Sequence, residues 1–359
     1  MMRYQRPPAN RVIVPFELFH DPMERLLIVN FKGHAQYNGI ELQVFADETK
    51  GRGLAVLMYR TDGKLDWYLT PGLTLDQEAA AVGAGLGEWV VQDIPHRLEI
   101  GQQGVDAAVR FTLHDGREVE LVLTEHRRNP GRHIDLLAPL GVGIERPTFL
   151  PCFVMFGLDL VRRGGTDVTL RIDGAKRELE QIPVPIPYSG RFSYLARYSN
   201  DPFIVRINPA TDGPARMVDP SVGGTGGEHL TFVEREGHAE LERLSVSAAG
   251  HEAWWQLDPA LPDLEALANG ARSEGRFAIG TDDLEMIAGE LSVGREGDEV
   301  RLVMQPNEPW RPPGGPLVWL TLRMFPSFFR TWTTTYRWEA TVSLAGEASI
   351  RSSWSRTEG

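Results

Sequence analysis

The chain has 359 residues, 42% hydrophobic and 24% charged, with 49 Asp and Glu against 37 Lys and Arg for a formal charge of −12. That length exceeds what one hydrophobic core usually fills, so two domains are expected, and the hydrophobic content excludes a disordered chain. The densest basic cluster, Arg127-Arg128 with Arg132 and His133, is too small to displace counterions from phosphate, which argues against a nucleic acid or an anionic membrane surface as partner.

Met1 to Asn10 is polar and proline-containing, with no apolar run of the kind a secretory signal needs. Ile40, Leu42 and Val44 then alternate with Glu41, Gln43 and Phe45, so Glu41 and Gln43 share one face of a strand. That pair is either a candidate acid with its partner or a wet sheet surface. Leu54 to Arg60 and Lys64 to Thr70 flank Thr61-Asp62-Gly63 and read as a hairpin, with Trp67 and Tyr68 on its second strand. Thr74 to Gly83, opened by Thr74 and Gln77 at capping-box spacing, reads as a short helix. Val105, Ala107, Val109, Phe111 and Leu113 alternate up to His114-Asp115-Gly116, and Val119, Leu121 and Leu123 resume the pattern, which predicts a second hairpin.

Glu125-His126 and His133 come nearest to a ligand cluster, but a turn separates them and no metal-ligand spacing appears, so no metal or other cofactor is expected. Cys152 is the only cysteine and reads as a small core hydrophobe. The apolar run around it, Phe149 to Val161, has 13 residues and falls short of the roughly 20 that a spanning helix needs. With no span and no signal, a cytoplasmic protein is expected. Within the run, strict alternation puts Asp159 on the face of Met155 and Gly157. There it is either neutralised by Arg162 or Arg163, or holds a raised pKa suited to acid–base work.

Three prolines at alternate positions in Ile182 to Pro187 suggest a connector between domains 1–182 and 183–359, or else an edge segment within one fold. Arg197-Tyr198-Ser199-Asn200-Asp201-Pro202, followed by Arg206, concentrates groups that could orient a polar substrate, with Asp201 a second candidate acid; an Asn-Asp-Pro turn with a salt bridge explains the same residues. Gly223 to Gly227 lacks the Lys-Ser/Thr of a phosphate loop and precedes a strand-like run, so it reads as a flexible loop. No GxSxG elbow is present. Pro262 to Gly270 predicts a short helix. Thr331 to Leu344 is a 14-residue alternating run with Trp332, Tyr336 and Trp338 on one face; these aromatics either fill volume or line a cavity.

The length, the doubled hairpin-rich layout, Leu65-Asp66-Trp67-Tyr68 on an early strand and the tryptophan-bearing closing strands together resemble the two-domain lipocalin-like proteins related to carotenoid hydratases and tocopherol cyclase. The resemblance implies an all-β chain of two antiparallel barrels or curved sandwiches with few short helices. It also implies an apolar ligand, such as a terpenoid or polyene, that active members hydrate, cyclise or isomerise by protonation without a metal. Asp159, Asp201 or Glu41 would then supply the proton, and Trp67, Tyr68, Arg197, Tyr198, Arg206, Trp332, Tyr336 and Trp338 would line the ligand. The competing readings are a carbohydrate-binding or carbohydrate-active β-sandwich with two facing carboxylates, and an interaction protein with no ligand. Oligomeric state stays open.

Overall fold

The computed structural model describes residues 3–7, 9–48, 50–77, 84–127, 134–139, 148–182, 193–200, 202–224, 227–248, 250–308, 310–311 and 334–357. Among the described residues the chain is all-β. The first sixteen strands are β1 (Val12–Ile13), β2 (Leu18–Pro22), β3 (Arg25–Lys32), β4 (Tyr37–Asp47), β5 (Gly51–Arg60), β6 (Leu65–Leu69), β7 (Leu86–Val91), β8 (His96–Gly101), β9 (Gly104–Thr112), β10 (Glu118–Glu125), β11 (Ile134–Pro139), β12 (Leu150–Arg162), β13 (Thr166–Ile172), β14 (Ala175–Leu179), β15 (Ser193–Asn200) and β16 (Phe203–Ile207). Ten more follow: β17 (Asp212–Pro214), β18 (Met217–Val218), β19 (Glu228–Arg235), β20 (His238–Ala248), β21 (His251–Leu261), β22 (Arg272–Thr281), β23 (Leu284–Glu296), β24 (Glu299–Pro306), β25 (Tyr336–Ser343) and β26 (Ser349–Arg356).

Fifteen strands form a curled first sheet. One arm runs β7-β6-β5-β4-β3; from β3 the sheet continues through β14-β13-β10-β9-β8 and also through β15-β12-β16-β2, with β11 on β12. The pairing is antiparallel throughout except between β6 and β7. Nine strands form a second, up-and-down sheet in the order β17-β26-β25-β24-β23-β22-β21-β20-β19, and β1 pairs with β18 in a two-stranded ribbon.

Local turn chemistry explains much of this connectivity. Asp173-Gly174 joins β13 to β14 and Glu236-Gly237 joins β19 to β20 with positive φ at both residues (53° and 71°; 53° and 83°). Such two-residue turns match the twist of the flanking strands. The predicted Asp115-Gly116 hairpin is β9 and β10, and the Asp62-Gly63 hairpin is β5 and β6.

Three apolar clusters hold the layers together. The inner face of the first sheet is filled by residues such as Leu27, Phe31, Tyr37, Tyr68, Phe111 and Leu121. The outer face of β3 to β7 carries a separate cluster with Leu26, Ile28, Leu57, Trp67, Met155 and Leu158. The third joins the second sheet to β2, β16, the first half of β12 and the N-terminal segment Val12 to Leu18. Cys152 lies in this last cluster, fully buried, and burial pushes its thiol well up.

Strand β12 therefore serves all three cores, and its facing changes at Gly157. Cys152, Val154 and Phe156 face the third cluster. Met155 and Leu158 face the outer cluster, and Val161 faces the inner one. Met155 and Leu158 are three residues apart, so the period of two breaks between them, at a glycine with φ of +60° that few other residues adopt.

The proline run lies outside the described residues. After it, β15 and β16 pair with β3, β12 and β2, so the change of sheet falls between Ile207 and Asp212. One helix expectation is corrected. Pro262 to Gly270 is a turn, because residues 3–5 capture its backbone: Gln5 N donates to Ala266 O (2.7 Å), Ala268 N donates to Arg3 O (2.9 Å), and Tyr4 bridges Leu267. The Thr74 to Gly83 expectation is narrowed at its start only: Thr74 donates its N–H to Lys50 O and Thr74 to Asp76 is not helical, Gln77 is helical, and residues 78–83 lie outside the described residues. The long closing strand is also shorter than expected. Thr334 and Thr335 form a turn, and β25 begins at Tyr336.

Candidate acid site on the outer face of the first sheet

Register assembles the site. Arg197, Ile28, Glu41, Leu57, Trp67 and Trp89 are cross-strand partners in sequence, one row across β15, β3, β4, β5, β6 and β7. The next row on that face is Ser199, Leu26, Gln43, Ala55 and Leu69, and the row on the other side is Asn30, Gly39, Tyr59 and Leu65. Both faces of β4 are buried. Glu41 and Gln43 are each 1% exposed, so they are not the wet surface that the alternation alone permits.

The Glu41 carboxylate accepts hydrogen bonds from two neutral donors. Tyr59 donates its hydroxyl to Oε2, and Gln43 donates Nε2 to Oε1 at 2.5 Å. Tyr59 sits opposite Gly39, where a Cβ would lie 2.7 Å from its ring, so glycine makes room for that ring. The Arg197 guanidinium donates to Asn30 Oδ1 at 3.2 Å. Burial pushes the Glu41 carboxyl up; Tyr59, Gln43 and the charge of Arg197 pull it back, and burial wins. Burial and the charge of Glu41 likewise hold the Tyr59 phenol well above its usual value. The surrounding wall is apolar, and Trp67 packs against Trp89 with ring centroids 5.6 Å apart. Two deeply buried polar atoms here make no hydrogen bond: Gln43 Oε1, an acceptor, and Trp67 Nε1, a donor.

Asp159 belongs to a different nest. It pairs in register with Tyr198, on the inner face, because the break at Gly157 reverses its side relative to Met155. This corrects the expectation that Asp159 and Met155 share a face. Its partner is Arg127 rather than Arg162 or Arg163. Arg127 donates to Asp159 Oδ2, to Glu125 Oε1 (2.7 Å) and to Leu160 O (2.6 Å), and its guanidinium carbon lies 5.6 Å from the Tyr198 ring centre. Burial alone would lower the Arg127 pKa, but the bonds to Asp159 and Glu125 reverse the sign and raise it.

The remaining predicted residues are dispersed. Tyr68 faces inward, 3.3 Å from His114 Nδ1, and burial pushes its phenol up to about 12. Trp67 and Tyr68 thus serve opposite faces, as do Arg197 and Tyr198. Arg206 stands on β16, opposite Pro151 and Phe19. Tyr336 and Trp338 are fully buried in the core of the second sheet, where Phe16 packs 5.5 Å from Trp338. Asp201 and Trp332 lie outside the described residues. Glu41 and Asp159 lie on opposite faces of the sheet, so they do not form the facing pair that a glycosidase requires.

Sequence reasoning missed Tyr59, Arg127 and Trp89. Tyr59 shares the parity of Leu57 and Ala55, the one signal that could have found it. Arg127 was absorbed into a basic cluster two residues beyond a strand. Among the described residues no group of three or more His, Cys, Asp and Glu is placed to hold a metal ion, and no helix is long and apolar enough to cross a membrane. No protein family, curated protein or solved structure matches the chain.

Proposed function

We propose that the chain binds an apolar small molecule, such as a terpenoid or polyene, against the outer face of β3 to β7, with Glu41 as the acid that transforms it. The observation that carries this reading is a carboxyl group buried in an apolar wall, raised by that burial and hydrogen-bonded by Tyr59 and Gln43. A carboxyl whose burial favours the protonated form is matched to donating that proton to an alkene. The proton moves from the Glu41 carboxyl to one alkene carbon and leaves a cation on the other. Return of a neighbouring proton to the carboxylate gives an isomer; addition of water, with loss of its extra proton to the carboxylate, gives an alcohol. The indoles of Trp67 and Trp89 offer π faces to such a cation.

All-trans-retinol is the probe that tests binding, followed through its own fluorescence on the full chain. Saturable binding is expected, weakened at least tenfold by Trp67→Ala and unchanged by Trp338→Phe, whose ring lies in the other core. Glu41→Gln is expected to keep binding and to abolish any acid-dependent double-bond shift seen by chromatography of the extracted probe. Absence of retinol binding, together with no apolar compound in an organic extract of the purified protein, would sink the reading.

A further inference from the structure

A second constellation lies on the other sheet, independent of Glu41. Residues 3–5 lie along the turn 263–269 as a strap, held by the Tyr4–Leu267 bridge, by the two backbone bonds described above and by Asn269 N donating to Gln5 Oε1 (2.9 Å). Beneath it, His238, Glu240 and Asp263 are 3%, 0% and 3% exposed. The Tyr4 ring stacks on the His238 imidazole with centroids 3.9 Å apart and planes 23° from parallel. His238 Nδ1 is fixed 3.0 Å from Asp263 Oδ2, which sets the plane of the imidazole.

The Tyr4 hydroxyl donates to Glu240 Oε1 at 2.5 Å, with Arg3 Nη1 3.4 Å from that same oxygen. The other oxygen, Oε2, accepts no hydrogen bond, and its nearest cation is Arg235 Nε at 3.8 Å. A fully buried carboxylate oxygen without a donor is uncommon and asks for one. The strap that supplies the single donor is itself weakly held: Tyr4 is only half-buried, and Gln5 to Pro7 and Ala9 to Arg11 are exposed. Segments with so little buried surface open at low free energy.

We propose that the groove under residues 3–5 is a binding site for a catechol ring, occupied in this structure by the chain's own Tyr4. The ring stacks on His238 where Tyr4 does. One hydroxyl takes the place of the Tyr4 hydroxyl on Oε1, and the adjacent hydroxyl supplies the donor that Oε2 lacks. Arg235, on β19 and not on the strap, remains to balance the carboxylate. A single phenol satisfies one oxygen, and a catechol satisfies both, which is the basis of the selectivity.

Calorimetric titration of the full chain under argon with 4-methylcatechol and with p-cresol tests this. Tyr4→Ala is expected to bind 4-methylcatechol at least tenfold tighter than p-cresol and at least tenfold tighter than the unchanged chain does. Adding Glu240→Gln should erase the preference. In the unchanged chain, saturating 4-methylcatechol should speed tryptic cleavage after Arg3 several-fold as the strap is displaced. Equal affinities of Tyr4→Ala for the two rings, or no binding by a variant that still unfolds cooperatively, would overturn the proposal. So would an unchanged cleavage rate in the unchanged chain, a result that does not depend on the variant folding.

Discussion

The first sheet buries carboxylates on both of its faces, and two of these sites handle the charge in different ways. On the inner face Asp159 and Glu125 share Arg127, a permanent cation with planar donors that meets both carboxylates and a backbone carbonyl. On the outer face Glu41 has only a phenol and an amide as direct donors, with the Arg197 guanidinium turned to Asn30. The first arrangement fixes ionised groups in place. The second leaves the proton as the cheaper companion, and the raised Glu41 carboxyl follows. Burial of a carboxylate therefore does not by itself mark a reactive acid; the identity of the partner decides.

Removing Arg127 is the harshest way to break this contrast. Arg127→Met leaves two buried carboxylates facing each other without a cation, and a loss of about 3–5 kcal/mol is expected from denaturant unfolding. Combining it with Glu125→Gln and Asp159→Asn should restore much of that stability, because the charges leave together. If the single variant were as stable as the parent, the inner nest would not be an ion-pair network. A smaller effect is expected at Gly157, which assigns Asp159 to the inner face. Nothing lies within 4 Å of a Cβ built there, so Gly157→Ala tests backbone strain alone, at about 1–2 kcal/mol for an alanine held in the left-handed region. A neutral result would mean that the strand turns over by some other means. Tyr59→Phe removes one neutral donor from Glu41 and should cost about 1 kcal/mol, while pushing the Glu41 carboxyl further up.

How far these nests were legible follows from what alternation encodes. Period two sorts side chains by face, so Glu41 with Gln43, and the opposed Trp67 and Tyr68, could be read directly. It carries no information on partners across strands, since register depends on the whole sheet. Tyr59 therefore joined Glu41 only through the pairing of β4 with β5. The method also fails where one residue breaks the period. Gly157 moved Asp159 to the opposite face and handed it to Arg127, 32 residues earlier, although Arg162 and Arg163 were nearer in sequence. The helix expectation at Pro262 to Gly270 failed for a related reason: its backbone groups were claimed by residues 3–5, more than 250 positions away.

The gentlest test compares unfolding of the parent and Glu41→Gln as a function of pH. The folded state holds the Glu41 proton more tightly than the unfolded chain, where a glutamate titrates near about 4.3. Between that value and the raised folded one, the folded state carries more protons, so the slope of stability against pH is negative and stability falls as pH rises. Below this window both states are protonated and the contribution is constant. Glutamine has no such slope, so the parent should lose stability relative to Glu41→Gln on going from pH 4 to pH 8. Asp159, held by a guanidinium, supplies the contrast: Asp159→Asn should be destabilising because Arg127 loses a counter-charge. Were the parent to gain stability over Glu41→Gln as pH rises, Glu41 would be ionised in the fold and held there by Arg197. The two faces of the sheet would then be alike, and the acid role assigned to Glu41 would fail with the contrast.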